Sequence, residues 1–203
     1  CGYHGWHDWY LAANLKENKL DTHLLPGLEP QGVPKSLLDT VFTFEYNDIP
    51  SLQKIVQENE LAAIKMEVER NVPPENNFLQ KIRRICDKNN IVLIFDECTS
   101  GFRESYGGLH LKYNVNPDMA IFSKALGNGY AICSIIGIES VMQYAQSSFI
   151  SSTFWTERIG PTAALKTLEV MERLKSWQIV SEKGRTIKKE WAKMAKNHKL
   201  QIN

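Results

Sequence analysis

The 203-residue sequence has little of what marks several large protein classes. It holds four cysteines, Cys1, Cys86, Cys98 and Cys133. Their spacing fits neither a zinc site nor a CxxC redox pair. Three of them sit in apolar helix or strand contexts, where cysteine behaves as a small hydrophobe, so the expected compartment is reducing and cytoplasmic. No apolar run approaches the length of a membrane span and no signal peptide opens the chain; no membrane partner is expected. Charge of one sign is not in excess. The net charge of +1 gives no electrostatic reason to expect nucleic acid or an acidic surface as a partner. Repeats and low-complexity tracts are absent, and the Lys188-Lys189 cluster reads as a solvated helix face. An initiator methionine is missing too. Cys1-Gly2-Tyr3-His4-Gly5 reads like the middle of a domain.

What is present is alternation. Residues 21–34, rich in Pro and Gly, read as a long ordered loop, and such loops are often functional. Val41–Tyr46 is β-rich. Ile49–Asn59 has helical periodicity, with Asn47-Asp48 available as a cap. Leu61–Val68 is a short apolar run. Asn76–Lys88 places Leu79, Ile82, Ile85 and Cys86 on one helical face. Ile91–Phe95 is almost wholly apolar, as expected of a parallel strand buried on both faces. Met119–Phe122 and Ala131–Ile138 are further strand candidates. Gly160–Leu174 reads as a long helix with Leu165, Leu168 and Met171 on its buried side, and Ile179–Met194 as another. Strands alternating with helices predict an α/β fold with a mainly parallel sheet flanked by helices, in which ligands bind outside the carboxyl ends of the strands.

Two strand ends carry chemistry. Ile91-Val92-Leu93-Ile94-Phe95 runs into Asp96-Glu97. Taken alone, this carboxylate pair fits a cap, a salt bridge, or a magnesium site. The other feature is Lys124, which follows Met119-Ala120-Ile121-Phe122-Ser123 and precedes Gly127-Asn128-Gly129. A lysine there is costly unless exposed, paired or chemically used, and a surface lysine is the commoner case. Jointly the two features suit pyridoxal phosphate (PLP) chemistry. That chemistry needs a lysine for a Schiff base with the cofactor aldehyde and a carboxylate against the pyridine nitrogen. Asp96 and Lys124 stand 28 positions apart and serve one site only if the fold joins the two strand ends.

The chain resembles the class III aminotransferases, and within them the glutamate-1-semialdehyde aminomutase branch. The matching stretches are Tyr3-His4-Gly5, Pro30-Gln31-Gly32-Val33-Pro34, Tyr46-Asn47-Asp48, Phe95-Asp96-Glu97 with Gly101-Phe102-Arg103, Pro117-Asp118, Ser123-Lys124 and Ser152-Thr153-Phe154. The resemblance implies the central part of the large domain of a fold type I PLP-dependent transferase, over residues 1–203, with 21–34 as an active-site loop. It implies that Lys124 carries the cofactor and then acts as general acid and base. Asp96 would pair with the pyridinium nitrogen, Tyr3 would stack on one ring face, and Cys98, where the family has Val or Ile, would pack on the other. Thr153 would reach the cofactor phosphate of a neighbouring subunit, which implies a homodimer with shared active sites acting on a small amino or keto substrate. No metal is implied. A Ser/Gly-rich phosphate-binding turn is expected before Tyr3 and a small domain after the last helix, so the sequence reads as the central piece of a longer enzyme.

Several positions stay open at this level. Tyr3 also fits a core aromatic. His4 and His7 fit ordinary polar contacts, and Arg103 fits a brace on the Asp96–Glu97 turn. Trp155 and Glu157 suit a pocket or an interface equally. Glu67 falls on a family motif position, but Val68-Glu69-Arg70-Asn71 departs from the usual Pro-containing run, as Phe154–Arg158 departs from the typical aminomutase. An aminotransferase acting on a keto-sugar in polysaccharide synthesis is therefore as good an expectation as the aminomutase. A truncated, non-catalytic relative is the second alternative. A metal-dependent hydrolase or phosphotransferase built on Asp96-Glu97 is the third, and it leaves Lys124 and Thr153 unexplained.

Overall fold

The computed structural model describes residues 3–5, 7–15 and 29–201. Most of the loop expected over 21–34 lies outside the described residues, as does Cys1. The helices are α1 (Asp8–Ala12), α2 (Ile49–Glu58), α3 (Phe78–Asn89), α4 (Glu139–Met142), α5 (Ile159–Leu174) and α6 (Ser176–His198). The strands are β1 (Ala63–Met66), β2 (Val92–Glu97), β3 (Met119–Phe122) and β4 (Ser134–Gly137), in one sheet of order β1-β2-β3-β4. β1 and β2 pair in parallel, with Ile64 opposite Leu93 and Met66 opposite Phe95. The fold is of the α/β kind that the alternation predicts. The chain divides into two compact units, residues 1–96 with 117–119, and residues 97–116 with 120–203.

The first unit has a well-filled core. Asp48 starts α2 by accepting a hydrogen bond from the Ser51 amide at 3.1 Å, and Pro50 occupies the first turn, where a missing N–H costs nothing. α3 buries Phe78, Leu79, Ile82 and Cys86, which recur at helical spacing on one face. With Leu52, Ile64, Met66, Val68, Leu93 and Phe95 they form the core. Each such side chain stabilises the unit by roughly 1.5–3 kcal/mol. Asp118 braces the entry to β3. Its carboxylate accepts from the Leu93 amide at 2.7 Å and from Arg83 at 2.9 Å, while its own amide donates to the Leu93 carbonyl at 2.9 Å.

The second unit packs α5 beside the end of β3. Ala120, Phe122, Leu126 and Ala164 form its cluster, with Phe102, Ile132 and Leu168 against it. Gly101 permits the close approach: a Cβ there would sit 2.8 Å from the Glu97 carbonyl oxygen. α6 buries only Ala195 of its described side chains, and Lys188 and Lys189 are exposed upon it.

Two local expectations are corrected. Val41–Tyr46 forms no strand. Its β-branched and aromatic residues are used otherwise: Tyr46 packs edge-on against Phe78, with ring centroids 4.9 Å apart, and donates its hydroxyl to the Val68 carbonyl. On α5 the buried stripe runs through Gly160, Ala164 and Met171, so Leu165, one position further round, is 70% exposed.

Candidate active site

The sheet positions the carboxylate pair at the end of β2. Asp96 and Glu97 are both buried, and neighbouring side chains on a strand point to opposite faces. In the first unit, His4 Nδ1 lies 2.8 Å from Asp96 Oδ2. An ionised carboxylate only accepts, so Nδ1 is the donor. Lys65 of β1 approaches the same oxygen at 3.8 Å and donates to the His4 carbonyl at 3.4 Å. Tyr3 is 42% exposed and meets Tyr10 edge-on, with centroids 5.9 Å apart. It is therefore not a core aromatic.

Glu97 belongs to the second unit and has no solvent exposure. Its carboxylate accepts from Ser100, from the Leu109 amide at 2.9 Å, and from the His110 amide at 2.9 Å and ring at 2.8 Å. Burial pushes the Glu97 carboxyl up. The hydrogen bonds from the His110 ring, Ser100 and the two amides outweigh this and hold it below the ordinary carboxylate value. Gly108 leaves room for this cluster, since a Cβ there would fall 2.8 Å from Glu97 Oε1. Arg103 is exposed, and the donors that meet Glu97 at this turn come from Ser100, Leu109 and His110. Among the described residues no group of three potential ligands is placed to hold a metal.

Lys124 opens a 3-10 turn directly after β3 and Ser123. Its φ of +43° is left-handed, a conformation that costs a non-glycine residue roughly 1–2 kcal/mol and clusters at functional positions. Its Nζ donates to Thr99 Oγ1 at 3.0 Å, and among the described residues no carboxylate pairs with it. Cys98, next to Thr99, is half-buried. Thr153 lies in an exposed stretch with Phe154 and Trp155. Glu157, left between pocket and interface by the sequence, caps α5 by accepting from the Ile159 amide and, at 3.1 Å, from the Gly160 amide. Glu67, at the end of β1, pairs with Arg70 at 3.1 Å.

Three residues escaped sequence reasoning. His4 has a faint signal, its place between Tyr3 and Gly5. Lys65 has another, as the single charge inside the apolar run 61–66. His110 has none, since nothing in its spacing marks it as the partner of Glu97.

Asp96 ends one strand of this α/β sheet as a buried carboxylate, and Lys124 follows another with its amine on a hydroxyl. The class III aminotransferase family matches residues 1–202, and the chain belongs to it. The 3-aminobutyryl-CoA aminotransferase of Cloacimonas acidaminovorans is 35% identical over 100% of this chain and 47% of its own length. A glutamate-1-semialdehyde 2,1-aminomutase from Hyperthermus butylicus is 32% identical over 93% of this chain and 45% of its own. The chain thus spans about half the length of these curated relatives. Among solved structures, the FumI protein of Sphingopyxis sp. MTA144 in a PLP form superposes with a TM-score of 0.79 over 85% of this chain and 44% of its own, at 22% identity. Class III aminotransferases are PLP-dependent enzymes. The residues fit such a group on their chemistry: Asp96 is a buried acceptor steadied by an imidazole, and Lys124 is an amine held by a neutral hydroxyl.

Proposed function

We propose that this chain carries the core of an enzyme that transfers an amino group with PLP as cofactor. When bound, the cofactor supplies an electrophilic aldehyde and a ring that accepts electrons. Lys124 would hold the cofactor at its aldehyde, and its amine would then serve as the general acid and base of the 1,3-proton shift, moving a proton between two carbons that flank one nitrogen. The observation that carries this reading is Lys124 itself, held at a left-handed φ of +43° with its amine on Thr99 and on no carboxylate among the described residues.

Asp96 is assigned to the ring nitrogen, which it keeps protonated; its burial and the His4 bond support this. Tyr3 and Cys98 are assigned to the two ring faces. Thr153 is assigned to the cofactor phosphate of a second copy, giving a homodimer with shared sites. The exposure of Phe149, Phe154 and Trp155 around it supports an interface there. The substrate is a small amino or keto compound. Transfer between two molecules is preferred to an aminomutase shift, supported by an aminotransferase relative 35% identical along 100% of this chain, against 32% along 93% for the Hyperthermus butylicus aminomutase. A cytoplasmic setting belongs to the same reading, supported by the free thiols of Cys86, Cys98 and Cys133. Among the described residues no helix is long and apolar enough to cross a membrane.

The test is to incubate the protein with PLP, reduce with borohydride and map the pyridoxyl label by mass spectrometry. Label is expected on Lys124 alone, and Lys124→Ala should lose both the label and at least about 10³-fold of amino transfer. Label spread over surface lysines, equal in the variant, would refute the assignment.

A further inference from the structure

β1 reads Ala63-Ile64-Lys65-Met66, and Ile64 and Met66 are buried. Alternation sends Lys65 to the opposite face. There its ammonium stands 3.8 Å from Asp96 Oδ2, the oxygen that His4 Nδ1 meets at 2.8 Å. It is also tied to the His4 carbonyl at 3.4 Å. One carboxylate oxygen is therefore shared by an imidazole donor and a full positive charge. The two neighbours are not equivalent. A hydrogen bond from the imidazole orients the carboxylate and leaves its charge in place, whereas an ammonium cancels part of that charge at every distance where it is not screened.

We propose that Lys65 is a positioning residue that limits how strongly Asp96 holds the ring nitrogen of the cofactor. This rests on the reading of Asp96 given above. A protonated ring nitrogen and the Lys65 ammonium are two cations drawing on one negative charge, so each weakens the other's hold. With the ring absent, Lys65 adds a positive charge near a buried carboxylate that His4 already hydrogen-bonds. With the ring present, it withdraws part of the charge that favours ring protonation. The Lys65 side chain is 31% exposed, so solvent and salt moderate the effect.

The test compares PLP with 1-deazapyridoxal phosphate, whose ring has carbon in place of the nitrogen. Dissociation constants of both are measured by fluorescence titration on the full chain, for the wild type, Lys65→Met and Lys65→Arg. The ratio of the two constants isolates the ring-nitrogen contact; a loosened fold moves both constants together and leaves the ratio alone. Lys65→Met should raise the preference for PLP about 5-fold, and Lys65→Arg should keep the wild-type ratio. Added salt near 0.5 M should carry the wild type toward the Lys65→Met ratio without moving that variant, and this measurement needs no altered protein. A ratio unchanged by both Lys65→Met and salt overturns the proposal while leaving Asp96 in its role. A wild type with no preference for PLP, unaltered by Asp96→Asn, instead removes Asp96 from the ring nitrogen, and the proposal falls with it.

Discussion

Asp96 and Glu97 are consecutive buried carboxylates at the end of one strand, yet their surroundings differ in kind. Glu97 is served by its own segment: Ser100, Leu109 and His110 lie within 13 residues, and two of its bonds come from backbone amides. Asp96 is met by His4, 92 residues away, and by Lys65 on another strand. Backbone amides are fixed donors, so Glu97 pins a loop and has no room for another role. His4 and Lys65 meet Asp96 with side chains, one sharing a proton and one carrying a charge, and in the proposed role such neighbours would be rebalanced by a cationic ring. Chemical identity does not distinguish the two carboxylates; the origin of their donors does.

Exchanging each for its neutral isostere should break them apart most widely. Glu97→Gln leaves the buried donors of Leu109, His110 and Ser100 facing an amide, and is expected to cost about 2–4 kcal/mol. In a chain of this size that lowers the melting temperature by roughly 5–15 °C. Asp96→Asn keeps shape, volume and an acceptor oxygen for His4 and should cost less, about 1–2 kcal/mol, while amino transfer drops about 10²-fold or more through loss of the ring-nitrogen charge. Thermal melting and activity of the two variants, side by side, decide the matter. Equal melting losses would show that both carboxylates are structural.

Acid separates them next. Glu97 is held below its ordinary value near 4.5, so it favours the folded state fully above that value. Its contribution disappears as pH falls through the lower folded-state value, where the carboxylate gains its proton and releases its donors. Urea melts between pH 6 and pH 3 should show stability falling most steeply below about pH 4.5. Glu97→Gln should start lower and show a shallower fall over that window. A slope unchanged in the variant would place the acid sensitivity elsewhere.

The same contrast explains what the sequence makes legible. β2 and its two carboxylates stand out because an apolar run ends abruptly in charge, and α3 because Leu79, Ile82 and Cys86 recur at a helical period. Asp48 announces α2 because a cap is a local hydrogen bond, here to Ser51. These features depend on neighbours in sequence. Val41–Tyr46 misleads because β propensity describes a residue's fit to a half-buried pleated surface, and Tyr46 is instead committed to Val68 and Phe78. Leu165 misleads because the period is right and the phase is wrong: the small Gly160 and Ala164 face the cluster, and the larger side chain turns outward. His4, Lys65 and His110 are illegible for a different reason. Each acquires its meaning from a partner that only the fold supplies.

The finest test moves the comparison one turn along the chain, to Thr99 and Ser100. These too are adjacent and half-buried, and each hydroxyl has its own task. Ser100 donates to Glu97, and Thr99 accepts from Lys124 at 3.0 Å. Ser100→Ala removes one of several bonds to a carboxylate that keeps the rest, so it should cost about 1 kcal/mol, read as a melting shift of roughly 2–4 °C, with pyridoxyl labelling of Lys124 unaffected. Thr99→Val preserves the β-branched shape and removes only the acceptor for the lysine amine. Melting should then change by less than about 1 °C, while the amine loses its restraint and the rate of labelling at Lys124 changes a few-fold. If instead Thr99→Val melts early and labels normally, the Thr99–Lys124 bond holds the loop rather than the amine, and the division of labour seen at Asp96 and Glu97 ends at the strand.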